Sequence, residues 1–246
     1  DFNNTKALPS ESAATADGTT RDTQERVRLN VDAKAGDVKG RISIENDWDT
    51  WGDGAGAPGA AAPNNQGPNP GFETRPNNAL SFREAWLDFT IPGASPAHVK
   101  VGRQFLQLGN GWFFRSGKFG SDAWVVGLPG KNTIAFVNVK AAENEVYQSD
   151  DTDAYVLLDT FKINDTNTVG AYIAHVLDRS GEWTNRAFGA IGANETTLDN
   201  IGLHYTGKLG TLNLMAEIDY QMGEIKTAGT TVDLSGYQVV VQANMP

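Results

Sequence analysis

An all-β fold is predicted, specifically an antiparallel up-and-down transmembrane β-barrel with short periplasmic turns and long extracellular loops. The prediction rests on strict two-residue alternation, on connections that alternate short and long, and on the lack of any long apolar run. Alternation is clearest in Asn200 to Gln221, NIGLHYTGKLGTLNLMAEIDYQ. There Ile201, Leu203, Tyr205, Leu212, Leu214, Ala216, Ile218 and Tyr220 take every second place, with His204, Thr206, Asn213, Glu217, Asp219 and Gln221 between them. Successive strand side chains point to opposite faces, so each arm carries one apolar and one polar face. Gly207-Lys208-Leu209-Gly210 is read as the turn of the hairpin.

The same pattern runs through the chain. Val27, Leu29, Val31 and Ala33 alternate with Arg26, Arg28, Asn30, Asp32 and Lys34; after a tight Gly36-Asp37 turn, Ile42 and Ile44 alternate with Lys39, Arg41, Ser43 and Glu45. Strands are also expected at 80–91, 99–108, 123–128, 133–140, 154–162, 169–176 and 232–242. Both prolines of Pro92-Gly93-Ala94-Ser95-Pro96 fall in a turn, where a missing donor costs least. Short turns are expected after residues 34, 91, 128, 163 and 207, and long polar loops after 46, 108, 141, 177 and 222. A Greek-key sandwich would not segregate its connections so regularly.

The apolar faces must meet either lipid or a second sheet. No apolar run approaches the roughly 20 residues of a spanning helix, whereas a spanning strand is short and half polar. Cysteine is absent among the 246 residues, which removes disulfides and thiolate metal sites. A net charge of -10 argues against a nucleic-acid partner.

The chain reads as a single barrel domain over 1–246, with 1–24 and 46–79 as long loops. The count of about eleven strands is odd, while single-chain bacterial barrels have an even number. The expectation is therefore a piece of a longer barrel.

REAWLDFTIPG followed by VKVGRQFLQLGNG, over 83–111, resembles alginate-export-type and related bacterial porins, in which an R-E-A-aromatic-L-D-F strand leads to a V-x-V-G-R-Q strand. QERVRLNVDAKAGDVKGRISIENDWDTWG is similar to the start of such porins, and the resemblance covers residues 24–110. It implies a bacterial outer-membrane channel with more strands than are present here. The departure is charge, since an exporter of an anionic polysaccharide should have a strongly basic lumen.

With the apolar faces outward, Arg26, Arg28, Asp32, Lys39, Arg41 and Glu45 line the lumen on the first hairpin, and Glu84 and Asp88 on the strand that follows. Glu217 and Asp219 line it on the late hairpin. Basic residues crowd one arc and acidic residues another, which would set a transverse field; the alternative is that neighbouring strands pair these charges. Trp112, Phe113, Phe114, Arg115 and Lys118 form a candidate constriction loop, or else an interfacial aromatic belt. Arg103 falls on the apolar face of its strand under strict alternation, which a bulge or a membrane-edge position would resolve.

Asp47, Asp49 and Asp53, and Asp150, Asp151 and Asp153, raise a calcium reading, but Trp51 stands where the first set needs an oxygen ligand. No metal or other cofactor is assigned. His98, His175 and His204 lack metal-ligand spacing, and no nucleophile or phosphate-loop motif is present, so no catalytic residue is assigned and the chain is read as a non-enzyme. The expected function is a porin-type channel for passive diffusion or export of ions and small hydrophilic solutes. Its expected surroundings are outer-membrane lipid, with homo-oligomers left open. The alternative is a soluble all-β carbohydrate-binding or adhesion module.

Overall fold

The computed structural model describes residues 2–6, 19–50, 81–93, 96–143, 150–181, 184–185 and 192–245, with side chains from residue 26 onward except 47–50. Fourteen strands follow in chain order: β1 (Phe2–Lys6), β2 (Thr19–Ala35), β3 (Val38–Thr50), β4 (Ser81–Thr90), β5 (His98–Gln104), β6 (Gln107–Leu108), β7 (Phe114–Arg115), β8 (Ser121–Leu128), β9 (Asn132–Ala142), β10 (Thr152–Lys162), β11 (Thr168–Asp178), β12 (Ala193–Leu209), β13 (Leu212–Thr227) and β14 (Thr231–Asn244). Twelve of them make one sheet in strict chain order, β1 to β5 and then β8 to β14; β6 and β7 form a separate ribbon. Every neighbour is antiparallel. The predicted up-and-down antiparallel architecture is therefore the observed one. β1 and β14 are the sheet's two edges, and no pairing joins them among the described residues.

The first hairpin turns at the expected Gly36-Asp37, and its register sets Arg28 opposite Glu45 and Asp32 opposite Arg41. Gly36 makes the reversal at φ +61, a conformation that L side chains rarely adopt. Between β3 and β4 the register shifts at Ser43/Ile44, leaving Arg83 as the extra residue. A single extra residue re-aims a side chain; here it turns Arg83 toward Glu45.

Several expected connections are strand instead. Phe2–Lys6 pairs with Thr19–Thr23 inside the stretch read as a loop over 1–24. Of the loop expected over 46–79, residues 46–50 belong to β3 and the remainder lies outside the described residues. The loop expected after 222 is largely strand: β13 continues to Thr227, Ile225 is buried, and the Thr227 amide donates to the Thr230 carbonyl at 2.9 Å to close a tight turn. The turn expected over 207–210 sits two residues later, because Gly210 rather than Gly207 has positive φ, at +64.

One face of the sheet carries exposed aliphatic and aromatic side chains across successive strands, among them Leu29, Ile42, Leu87, Phe136, Leu157, Ile173, Leu203 and Ile218. The opposite face is covered by the segment 105–120, which leaves β5, crosses to β12 and β13, and returns to β8. For one segment to touch strands so far apart in the order, the sheet must curl around it. The covered face is the concave, inner one.

The inner wall of β8 to β12 is apolar. Leu108, Ala123, Val137, Val139, Ala154, Val156, Ala174 and Val176 are buried together with Tyr172, and Leu106, Phe113, Phe114 and Leu198 pack against them. In their middle parts β8 to β11 are thus apolar on both faces, as expected of strands covered on both sides, whereas β12 adds only Leu198 beside the buried Thr196 and Asn200. The inward-folded segment is what covers them. Among the described residues no helix is long and apolar enough to cross a membrane, which says nothing of crossing by strands.

Candidate functional site

The site is the concave face together with the segment laid across it. Its anchor is Asn110 at the tip of the segment. The Asn110 backbone N–H donates to Glu217 Oε2 at 2.5 Å, its side-chain amide donates to the Ala216 carbonyl at 2.8 Å, and Thr206 Oγ1 donates to Asn110 Oδ1 at 2.6 Å. Gly109 lets the backbone come this close. Its φ is +53, and a Cβ there would lie 2.7 Å from Glu217 Oε2. Phe113 stacks on Tyr172 with ring centroids 6.1 Å apart.

Glu217 and Asp219 face inward on β13 and are buried, as is the Tyr172 side chain between them and the segment. The Tyr172 hydroxyl donates to Asp219 Oδ1 at 2.5 Å and also lies 3.2 Å from Glu217 Oε1. Asn200 donates to Asp219 Oδ1 at 3.0 Å and Gln238 to Asp219 Oδ2 at 2.8 Å. A buried carboxylate without a cation has to be held by several donors. These donors come from three different strands, β11, β12 and β14.

Opposite lies the charged ladder of β2 to β5. Glu45 has a fully buried side chain and receives Arg28 and, at 3.1 Å, Arg83. Arg41 forks onto Asp32, with Nε at 2.6 Å and Nη2 at 3.2 Å, and reaches Glu84 at 3.3 Å. Glu84 in turn accepts from Trp86 Nε1 at 3.0 Å, and the Lys100 ammonium sits 4.0 Å over the Trp86 ring. Asp88 bonds His98 at 3.0 Å and stands opposite Lys39 and Lys100 in register. Arg26 stands opposite Asp47.

The expectation of separate basic and acidic arcs is corrected by this geometry. Neighbouring strands intercalate the signs on the first arc, because like charges directly opposite each other are unfavourable and opposite ones attract. On the late hairpin Glu217 and Asp219 are held by amide and hydroxyl donors, with His204 opposite Glu217 in register.

The aromatic segment is divided in its roles. Phe113 and Phe114 point into the apolar inner wall, whereas Arg115 is exposed. Trp112 is half-buried. Lys118 lies 5.9 Å from the Phe119 ring, and its carbonyl accepts from Arg83 Nε at 2.9 Å. Arg103 keeps strict alternation with no bulge: it is on the outer face, paired with Asp122 at 2.6 Å.

The second acidic cluster considered for calcium holds a lysine instead. Lys140 bonds Asp151 and lies 3.0 Å from Glu143 and 3.7 Å from Asp153. In the first cluster, the side chains of Asp47 and Asp49, and the whole of Asp53, lie outside the described residues. His98 and His175 each face an aspartate, the latter Asp199 at 2.8 Å.

Sequence reading missed Arg83, Asn110, Tyr172, Asn200 and Gln238. Only Gly109 and Gly111, flanking Asn110 with positive φ at +53 and +86, carried a local signal that this segment turns sharply.

In overall fold the chain is similar to two mutants of the porin of Rh. blastica. Identities are 10% and 11%, the TM-score is 0.36 for both, and the match covers 98% of this chain and 95% and 94% of those chains. No family model matches the chain, and no curated protein does. The narrower resemblance of residues 24–110 to alginate-export-type porins thus has no matching family behind it.

Proposed function

We propose that this chain forms the wall of a bacterial outer-membrane channel, through which ions and small hydrophilic solutes diffuse, with the segment 105–120 folded inward as its constriction. The observation that carries the reading is the contrast between the two faces. Outward, exposed aliphatic side chains run across neighbouring strands; inward lie the Arg28–Glu45 and Arg41–Asp32 ladder and the Glu217–Asp219 group. Lipid accepts the first face, and water with its solutes accepts the second. A pore needs both edges of the sheet paired, either with each other or with further strands. Charges that are already paired make a lumen of weak, distributed contacts, which favours passage over retention.

The soluble carbohydrate-binding or adhesion reading requires a second sheet over the outer face, and among the described residues no strand covers it. The deciding experiment is conductance of the purified, full-length protein in a planar bilayer, with the reversal potential taken under a salt gradient. Discrete, long-lived openings are expected. A folded preparation that stays monodisperse without detergent and never conducts would overturn the channel reading.

A further inference from the structure

Between the inward-folded segment and the sheet lies a cavity of about 340 Å³. The segment side is formed by Phe105, Leu106, Leu108, Phe113 and Phe114. The sheet side is formed by inward residues of β8 to β12, among them Val139, Ala154, Val156, Leu158 and Ala174. Among the described residues no charged side chain lines it. The two polar side chains present, Gln104 and Gln107, turn their amide nitrogens to the backbone: Gln104 to the Ala123 carbonyl at 3.1 Å and Gln107 to the Gly109 carbonyl at 3.1 Å.

We propose that this cavity is a binding site for one uncharged, apolar organic molecule of about ten to fourteen carbon atoms. The cavity is partly open, and a space this large beside a mostly apolar lining leaves those side chains short of the packing partners an interior supplies. Water is a poor occupant, because it needs two to four polar partners and the two amides are already engaged. A dry cavity of about 150 Å³ admits one benzene, so a little over twice that volume takes a molecule of the stated size. An occupant restores dispersion contacts that the facing valines and phenylalanines otherwise lack. A carboxylate or ammonium would find no counter-charge here and would remain in water. The site lies beside the polar face rather than in line with it, and it exists whether or not the channel conducts.

The test is photolabelling of the full chain in nanodiscs with a decan-1-ol carrying an aliphatic diazirine, followed by peptide mapping. Saturable labelling, one molecule per chain, is expected in peptides containing Phe105–Phe114 and Val137–Leu158. Excess unlabelled decan-1-ol should remove it, and an equal excess of decanoate should not. Ala154→Phe and Ala174→Phe, each placing a ring in the cavity, should lower it at least ten-fold. Non-saturable labelling of outer-face peptides around Leu203 and Ile218 should persist and report an intact sheet. Labelling confined to those outer peptides would overturn the proposal. So would inner labelling unchanged in a folded filled variant. Equal competition by decanoate would also overturn it, showing the tail of a charged amphiphile as the occupant. Should neither filled variant assemble, the two competitions in the unaltered protein decide.

Discussion

Asn110 and Glu217, 107 residues apart in sequence, meet through a 2.5 Å hydrogen bond from the Asn110 backbone N–H to the Glu217 carboxylate. This contact ties the tip of the inward-folded segment to the far wall of the curled sheet. A hydrogen bond to a charged group contributes about 1.5–3 kcal/mol, and here it adds to the Asn110 amide bond to Ala216. The position of the segment therefore depends strongly on one carboxylate.

Glu217→Ala is expected to release the segment. Protease cleavage within 109–120 should rise about ten-fold or more, since about 1.4 kcal/mol corresponds to a factor of ten, and conductance should become larger and noisier. Glu217→Gln keeps an acceptor for Asn110 and should move both readouts less. Gly109→Ala should resemble Glu217→Ala, because its Cβ would meet the same carboxylate at 2.7 Å. Wild-type protection in both alanine variants would show that this contact does not hold the segment.

Gly202→Ala tests the buried carboxylate group from behind. A Cβ at Gly202 would lie 2.2 Å from the Tyr172 ring, too close for the ring to stay. Displacing Tyr172 removes the hydroxyl that donates to Asp219 and lies 3.2 Å from Glu217. The expected loss is about 2–4 kcal/mol, from leaving buried acceptors short of donors, and should be read as a lower urea midpoint in detergent. Tyr172→Phe removes the donor without the clash and should cost less. An unchanged midpoint for Gly202→Ala would contradict the packing described.

Ion selectivity should respond to single charges on the inner face. Glu84→Gln leaves Arg41 with Asp32 alone, making that face one unit more positive. One charge in water is worth about 0.5–1 kcal/mol to an ion roughly 4–8 Å away. The reversal potential should therefore shift toward anions, by about two- to five-fold in permeability ratio. Asp122→Asn makes the same charge change on the outer face, beside Arg103, and should leave selectivity unaltered. Equal shifts in the two variants would remove the assignment of faces.

Leu203 and Ile218 face each other across β12 and β13 and are exposed at 54% and 47%. In lipid, Leu203→Arg should cost about 2–4 kcal/mol if it lies near the bilayer midplane, and assembly into vesicles, followed by the mobility difference between heated and unheated samples, should fall. On a water-exposed surface the same change stays within about 0.5 kcal/mol. Undiminished vesicle assembly would favour the soluble reading.

The amino-acid sequence by itself determined most of the strands, their up-and-down order and which residues share a face. Period two is a local property: Ile201, Leu203 and Tyr205 fall on one side of β12 however the rest of the chain folds. Turn chemistry is local too, which is why the Gly36-Asp37 turn and the shared inner face of Arg28 and Glu45 were legible. What only the tertiary structure decided is what the inner face meets. Val137, Val156 and Ala174 stand next to Phe136, Leu157 and Ile173, which are equally apolar, so nothing local distinguishes a lipid-facing side chain from one packed beneath Phe113 and Phe114. The pairing of Asn110 with Glu217, and of Tyr172 with Asp219, depends on how the sheet curls, a property of twelve strands together. No window along the chain contains it.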